Sequence, residues 1–320
     1  MAFVGKQLLF ALLIAAVAAG LSLRLAGAAP PSALPAVSTA GAPKSFATPE
    51  AAAQGLIDAL KSGNRQAALD ILGHASAEWL SSGDRVADRA AVAHFIAEYE
   101  EKHALEKEGD ARAILIVGND DYPFPFPLIG SNDGWRFDPE QGREEILNRR
   151  IGRNELLTIQ TLRAIVDAQR DYASADRNGD GLLEYAQKFI SSPGKKDGLY
   201  WPTKPGEPES PLGPLIGEAT REGYSTQTRT RTAYHGYYYR MLTKQGPDAE
   251  GGAYDYLVHK DVMIGGFAVL AYPAKYGVSG IMSFLVNQQG VVFEKDLGPD
   301  TGKAAGRITS FNPDKSWRKD

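Results

Sequence analysis

The chain has 320 residues, a formal net charge of −4 and no cysteine. Because the chain is mildly acidic and has no run of basic residues, we expect no binding to nucleic acid or to anionic lipid. The lack of cysteine excludes disulfide bonds and thiol catalysis, so stability must come from the core or from a bound metal ion.

Residues 1–28 have the three-part pattern of a signal peptide. Lys6 supplies a positive charge, residues 8–23 are mostly apolar, and an Ala-Gly-Ala cleavage sequence ends at Ala28. We therefore expect cleavage between Ala28 and Ala29, and a periplasmic or secreted protein with no membrane contact after cleavage. A retained membrane anchor is the competing interpretation, because about 17 apolar residues can just span a bilayer.

Residues 29–45 are rich in proline, alanine and serine and carry almost no charge, which predicts a flexible linker. Residues 46–150 predict three helices followed by β-rich segments, with Thr48 as the N-cap and Pro49 as the first residue of the first helix. This order predicts a small α+β module. It is similar to the cone-shaped nuclear-transport-factor-like fold, whose pocket serves some enzymes and many binding modules.

Residues 151–320 predict a second module, in which a long helix packs on an antiparallel sheet. Apolar residues recur at spacings of three and four on one face of this amphipathic helix: Leu156, Ile159, Leu162 and Val166. Gly152 leaves open whether residues 141–172 form one helix or two. The final third contains four strand-like runs, and a tight hairpin is expected at residues 287–290. The predicted fold class is therefore α+β.

Several long runs resemble the bacterial family called domain of unknown function 2950. They are GWRFDPEQGREEILNRRIGRNEL (134–156), DRNGDGLLEYAQKFISSPGKKDGLYWP (176–202), YHGYYYRMLTKQG (234–246) and residues 265–296. The resemblance covers residues 46–317. It implies an exported bacterial protein and assigns no catalytic residue.

The second module also resembles, more weakly, the globular part of type IV pilins and pseudopilins. The resemblance rests on a helix with the pattern L-x-x-I-x-x-A-Q-x-x-Y, from Leu162 to Tyr172, and on a strand meander that ends SFLVNQQGVVF. In those proteins the export segment is continuous with the pilin helix, whereas here another module separates the two. The resemblance therefore implies a soluble pilin-like domain rather than a polymerising pilin.

The loop DRNGDGLLE (176–184) places oxygen-bearing side chains at alternate positions with glycines between them. This is the first half of an EF-hand-type calcium loop. Gln187 stands where a bidentate glutamate is expected, so Glu184 would have to close a shorter loop. The predicted calcium ligands are Asp176, Asn178, Asp180, Leu182 through its backbone, and Glu184. The alternative is an ordinary turn, in which aspartate and asparagine bond their own backbone.

The five histidines show no metal-ligand spacing, so we expect no transition-metal site. His235, between Tyr234 and Gly236, is the best candidate for an acid–base residue. We nevertheless predict no enzyme, no catalytic residue, and no cofactor other than calcium.

The leading hypothesis is a non-enzymatic envelope protein that binds a protein partner and assists assembly, with calcium setting the acidic loop. A cluster of tyrosines, half of it exposed, would supply the binding surface: Tyr234, Tyr237, Tyr238, Tyr239, Tyr254 and Tyr256. The alternative is a small-ligand binder or enzyme with a pocket in the N-terminal module. That alternative predicts polar groups such as Tyr99, His103 or Trp135 inside a cavity.

Overall fold

The computed structural model describes residues 42–225, 232–258 and 262–320. These residues belong to one compact unit, Ala40–Asp320, which combines α-helices with antiparallel sheets, so the predicted α+β fold class is confirmed. The predicted signal peptide, most of the predicted linker, and His259 lie outside the described residues. Within the described part of the chain, no helix is both long and apolar enough to cross a membrane.

The first half of the chain has four helices followed by a five-stranded antiparallel sheet. The helices are α1 (Pro49–Lys61), α2 (Arg65–Leu72), α3 (Ala77–Leu80) and α4 (Arg85–Glu101). The strands are β1 (His103–Lys107), β2 (Arg112–Val117), β3 (Tyr122–Pro123), β4 (Leu128–Ser131) and β5 (Gly134–Phe137). Helix α1 begins as the sequence predicted, because Thr48 accepts a hydrogen bond from the Ala51 backbone and Pro49 needs no partner for its nitrogen.

A single helix, α5 (Pro139–Tyr172), connects the two halves. Gly152 does not interrupt it, and a Cβ at this position would meet nothing within 4 Å. The described residues form a first core around Leu56 and Phe126 and a second core around Phe284. The N-terminal part of α5 packs against the first core through Ile146 and Leu147, and its C-terminal part contributes Leu162 to the second core. The predicted boundary at residue 150 therefore falls inside a helix that both cores share.

The buried face of α5 differs from the predicted one in its middle turns. Leu156 was expected to face inward, but it is 63% exposed. Polar residues are buried there instead: the Asn154 side chain donates a 2.9 Å hydrogen bond to the Ser279 backbone, and the Tyr239 hydroxyl lies 3.3 Å from Thr158 Oγ1. Asn154 and Thr158 thus lie on the face of α5 that contacts the second half of the chain, and Leu156 lies on the solvent face.

The second half contains two helices, a large sheet and two short hairpins. The helices are α6 (Gly213–Arg221) and α7 (Thr301–Arg307). The short strands are β7 (Lys244–Gln245), β8 (Tyr254–Asp255), β9 (Leu257–Val258) and β10 (Val262–Met263). The large sheet consists of β6 (Tyr237–Leu242), β11 (Ala268–Pro273), β12 (Met282–Asn287), β13 (Phe293–Asp296) and β14 (Arg318–Lys319), in the order β14-β13-β12-β11-β6.

Helices cover both faces of the large sheet. Tyr239 lies opposite Ala271, and its hydroxyl reaches Thr158, so this face packs against α5. Arg240, the next residue on β6, points to the other face, where its guanidinium donates to the Ala305 carbonyl at the end of α7. The central strand β11 is therefore buried along its whole length. The likenesses to a nuclear-transport-factor cone and to a pilin stay predictions, as does the division into two domains.

Candidate functional site

The acidic loop after α5 is shaped by hydrogen bonds from its own backbone. Asp176 accepts from the backbone nitrogens of Gly179 at 2.7 Å and Gly181 at 2.9 Å. Both glycines have positive φ angles, of 82° and 86°, which glycine adopts without strain. The hydrogen bond from Gly181, and then that from Gly179, lowers the pKa of Asp176. Asp176 is therefore ionised at neutral pH and holds the turn.

Two further carboxylates of the loop meet at the Asn178 side chain. Asn178 Nδ2 donates to Asp180 Oδ2 at 2.9 Å and to Glu184 Oε1 at 2.7 Å. The backbone nitrogen of Leu182 donates to the other oxygen of Asp180 at 2.9 Å. Burial, and then the charges of Asp180 and Asp176, raise the pKa of Glu184. The structure thus brings Asn178, Asp180 and Glu184 together, and it engages Asp176 separately with the backbone.

Among the described residues, no three histidine or acidic side chains form a group that could hold a metal ion. At the point between Asp180 and Glu184, the loop presents the amide hydrogens of Asn178. The amide orientation is fixed on its other side, because Asn178 Oδ1 accepts from the Asp180 backbone nitrogen at 3.0 Å. A cation between the two carboxylates would have to displace the Asn178 amide, and the predicted calcium site stays a prediction.

Exposed apolar side chains lie in this loop and on the hairpin to which it is bonded. Leu182 and Leu183 are 46% and 60% exposed. The backbone nitrogen of Tyr185 donates to the Met263 carbonyl at 2.8 Å, which joins the loop to the β9–β10 hairpin. Ile264, directly after β10, is 46% exposed. We call the whole set the apolar end; it consists of Leu182, Leu183, Tyr254, Val258 and Ile264, five of the ten exposed large apolar side chains among the described residues.

The expected tyrosine-rich surface is absent. Tyr237 and Tyr256 are buried, and only Tyr254 among the six tyrosines of the cluster is exposed. Burial raises the pKa of Tyr239 to about 12, which agrees with a ring enclosed between the sheet and α5. This expectation was wrong because helices cover both faces of the large sheet. Successive side chains of β6 point to opposite faces, and on each face they contact a helix.

His235 lies in a cluster of titratable side chains where the two halves of the chain meet. Its ring centroid is 3.9 Å from that of Tyr234, and its Nε2 is 3.7 Å from Glu222. Burial lowers the pKa of His235, although the charges of Asp84 and Glu218 oppose the shift. The imidazole is therefore neutral at neutral pH and packed between aromatic rings.

Asp84 is the residue of this cluster that sequence reasoning missed. Its carboxylate is buried, with one oxygen accepting from the backbone nitrogens of Val86 and Ala87 at the start of α4. The other oxygen accepts from the Tyr224 hydroxyl at 2.8 Å and from the Gly236 backbone at 2.9 Å. Every bond is to a fixed group of the fold, so Asp84 links α4 to the start of β6. An aspartate before a helical run is a recognisable N-cap signal, but the partners across the fold are not visible in the sequence.

The polar residues expected inside an N-terminal pocket do not converge. The rings of Tyr99 and His103 stack with centroids 3.8 Å apart, and His103 Nδ1 lies 2.8 Å from the Tyr99 carbonyl. Tyr99 packs in an apolar cluster with Ile57 and Leu115, whereas Trp135 packs against another cluster. An open cleft of about 310 Å³ lies between α1 and α2, and these three residues do not line it.

A comparison with protein-family models matches residues 43–319 to the family described as "Protein of unknown function (DUF2950)". The chain belongs to this family. The match includes every described residue of the acidic loop, the apolar end and the His235 cluster. Comparisons with curated proteins and with solved structures gave no match.

One further cluster in this DUF2950 protein has the residue types of a catalytic site. Lys188 Nζ lies 2.8 Å from Ser192 Oγ and 2.7 Å from Asp197 Oδ2, and the serine hydroxyl also donates to Asp197. Burial by itself would raise the pKa of Asp197, but the bonds from Lys188 and Ser192 lower it to about 2. The same carboxylate thus accepts from Lys188 and from the Ser192 hydroxyl, and its other oxygen accepts from the Ser192 backbone at 2.7 Å. These bonds close the loop between residues 188 and 197.

Proposed function

We propose that this protein is an exported, non-enzymatic module of the cell envelope that binds a protein partner through its apolar end. The observation that carries the proposal is the position of three exposed side chains, Leu182, Leu183 and Ile264, on two segments that the Tyr185–Met263 hydrogen bond joins. Clustered exposed apolar side chains on a stable fold mark interaction surfaces, whereas single ones need no explanation.

The charges beside the apolar end define the chemistry of the partner. Asp176, Asp180 and Glu184 lie in the loop itself, while Arg177 is engaged by the Asp171 carboxylate and backbone. The surface thus combines leucine and isoleucine side chains with a negative rim. We propose that the occupant is a protein segment with apolar side chains flanked by lysine or arginine, because opposite charges at the rim steer association and fix register.

In the two titratable clusters described above, the side chains bond to one another or to the fold. His235 is packed between aromatic rings, Asp84 bonds only to the fold, and Lys188 is paired with Asp197. The alternative function, a ligand pocket in the N-terminal half, has less support because the rings of Tyr99 and His103 stack on each other and do not line a cavity.

Site-specific photocrosslinking in intact cells tests the proposal. A photoreactive amino acid is placed at Leu183 in the full chain, and at Leu156 as a matched control that is equally exposed but lies on α5. We expect a defined crosslinked partner from Leu183 and none from Leu156, with the crosslinked segment rich in apolar and basic residues. A Leu183 variant that gives no crosslink, or the same products as Leu156, would contradict the proposal.

A further inference from the structure

A second surface, separate from the apolar end, forms an open cleft of about 330 Å³ at the edge of the large sheet. Its floor contains Leu285 of β12 and Lys295 of β13, and its walls contain Arg307 at the end of α7 and Trp317 near the C-terminus. This volume is at the lower end of the range for ligand pockets, so the cleft has room for one small molecule.

One positively charged side chain in the lining of the cleft has no partner among the described residues. The Arg307 guanidinium makes no hydrogen bond or ion pair with any other described residue, although it lines the cleft. Arg240 is close by and differs in this respect, since its guanidinium is fixed by the carbonyls of Ala305 and Ile308. Arg240 thereby holds the end of α7 in place and leaves Arg307 facing solvent at the rim.

The net charge of the cleft is suited to a ligand with one negative charge. Lys295 donates to Ser316 Oγ at 2.6 Å and lies 5.8 Å from the centroid of the Trp317 ring. Asp314 also lines the cleft, and hydrogen bonds from Ser316, together with the charge of Lys295, lower its pKa. Two cations and one carboxylate leave one net positive charge, which the single carboxylate of a ligand neutralises.

Hydroxyl groups and an aromatic ring complete the lining. Thr309 and Ser310 line the cleft, and their side chains have no hydrogen-bond partner among the described residues. Ser283 is buried, and its hydroxyl also lacks a partner within the described part of the chain. Because Ser283 is two residues before Leu285 on β12, it points to the same face of the sheet as the floor of the cleft.

We infer that this cleft binds a sugar acid, a ring that carries several hydroxyl groups and one carboxylate. The carboxylate lies on Arg307 and Lys295, the ring packs against Trp317, and the ligand hydroxyls bond Thr309 and Ser310. An apolar surface with a few polar groups in fixed positions is the usual composition of a small-molecule site. The inference does not depend on the proposed partner surface, because the two share no residue.

Titration of the full chain with glucuronate, glucose and inorganic phosphate, followed by NMR chemical shifts, tests this inference. We expect glucuronate to shift the Trp317 indole resonance and to bind about tenfold more tightly than glucose, because a charge-assisted hydrogen bond is stronger than a neutral one. Arg307→Gln should weaken glucuronate binding about tenfold. Arg143→Gln is the matched control, an exposed arginine on α5 whose ion pair with Glu140 is long, at 3.8 Å, and it should have no effect.

Four results would overturn the inference: no shift with glucuronate, equal binding of glucose, phosphate binding as tight as glucuronate binding, or an unchanged affinity in Arg307→Gln. Phosphate binding of that strength would indicate a general anion site. Arg307 is exposed, so its substitution should leave the fold intact. Unchanged chemical shifts of core residues in the ligand-free variant provide the check.

Discussion

Glu155 and Met282 are joined by a 2.9 Å hydrogen bond from the Met282 backbone nitrogen to Glu155 Oε1, which also accepts from Ile281. A side chain of α5 thus holds the start of β12. The Tyr237 hydroxyl donates to the Met282 carbonyl at 2.9 Å, so β6 meets the same point. The helix that spans both halves of the molecule is in this way bonded to the large sheet, whose strands β12 and β13 line the cleft.

Removal of this carboxylate should therefore destabilise the fold. We expect Glu155→Ala to lower the free energy of unfolding by about 2 kcal/mol, because two backbone donors lose a charged acceptor. Urea unfolding followed by circular dichroism measures the change. Glu144→Ala, an exposed glutamate on the same helix, should change the free energy by less than about 0.5 kcal/mol. Equal effects of the two substitutions would show that the bonds from β12 contribute nothing.

Asp84 should be equally important where α4 meets β6. We expect Asp84→Ala to cost about 3 kcal/mol of unfolding free energy, since the substitution removes a helix cap and two bonds across the fold. Tyr224→Phe removes only one of those bonds and should cost about 1 kcal/mol. Chemical denaturation of both variants checks the order. A Tyr224→Phe variant as unstable as Asp84→Ala would mean that the helix cap and the bond to Gly236 contribute nothing beyond the bond from the Tyr224 hydroxyl.

The Lys188–Asp197 pair should make stability depend on pH. The folded state lowers the pKa of Asp197 from 3.8 to about 2, so the group stabilises the fold above pH 3.8 and this contribution is lost as the pH falls toward 2. Because the pair is partly exposed, we expect a contribution of about 1 kcal/mol. Asp197→Asn should be less stable than the wild type at pH 6 by this amount and nearly equal to it at pH 2. A difference that stays constant over this range would contradict the assignment.

Calcium binding to the acidic loop predicts a specific thermal shift. At ten times the dissociation constant, calcium should add about 1.4 kcal/mol to the stability of the full chain. Thermal melts with calcium, magnesium and a chelator measure this effect, with Asp180→Ala and Glu184→Gln as test variants. Asp167→Ala is the control, because Asp167 is exposed on α5 outside the loop. A shift that magnesium reproduces, or that survives in the loop variants, would leave the loop as an ordinary turn.

The sequence predicted those parts of the fold that depend on local signals. The start of α1 follows from Thr48 and Pro49, and the hairpin between β12 and β13 follows from Gly290, whose φ is 79°. Helix α6 was missed because it lies in a proline- and glycine-rich segment. Pro214 near its N-terminus was the available signal, since proline is favoured in the first turn of a helix.

Contacts between distant segments could not be predicted from one sequence. Leu156 fits an apolar helical pattern, but the polar residues Asn154 and Thr158 take the buried face there through bonds to Ser279 and Tyr239. The turn of the acidic loop could be predicted, since it depends on the local spacing of Asp176, Gly179 and Gly181. The apolar end could not, because Ile264 reaches the loop only through the pairing of Tyr185 with Met263.

The most direct test of the central claim is the affinity of the full chain for the partner segment recovered by crosslinking at Leu183. Isothermal titration calorimetry would compare the wild type with Ile264→Asp and Asp180→Asn, and with the control Leu156→Asp. We expect the dissociation constant to rise at least about tenfold for Ile264→Asp, because a charge then replaces buried apolar contact. We expect a smaller rise for Asp180→Asn and no change for Leu156→Asp. An unchanged affinity in Ile264→Asp, or an equal loss in Leu156→Asp, would contradict the assignment of partner binding to the apolar end.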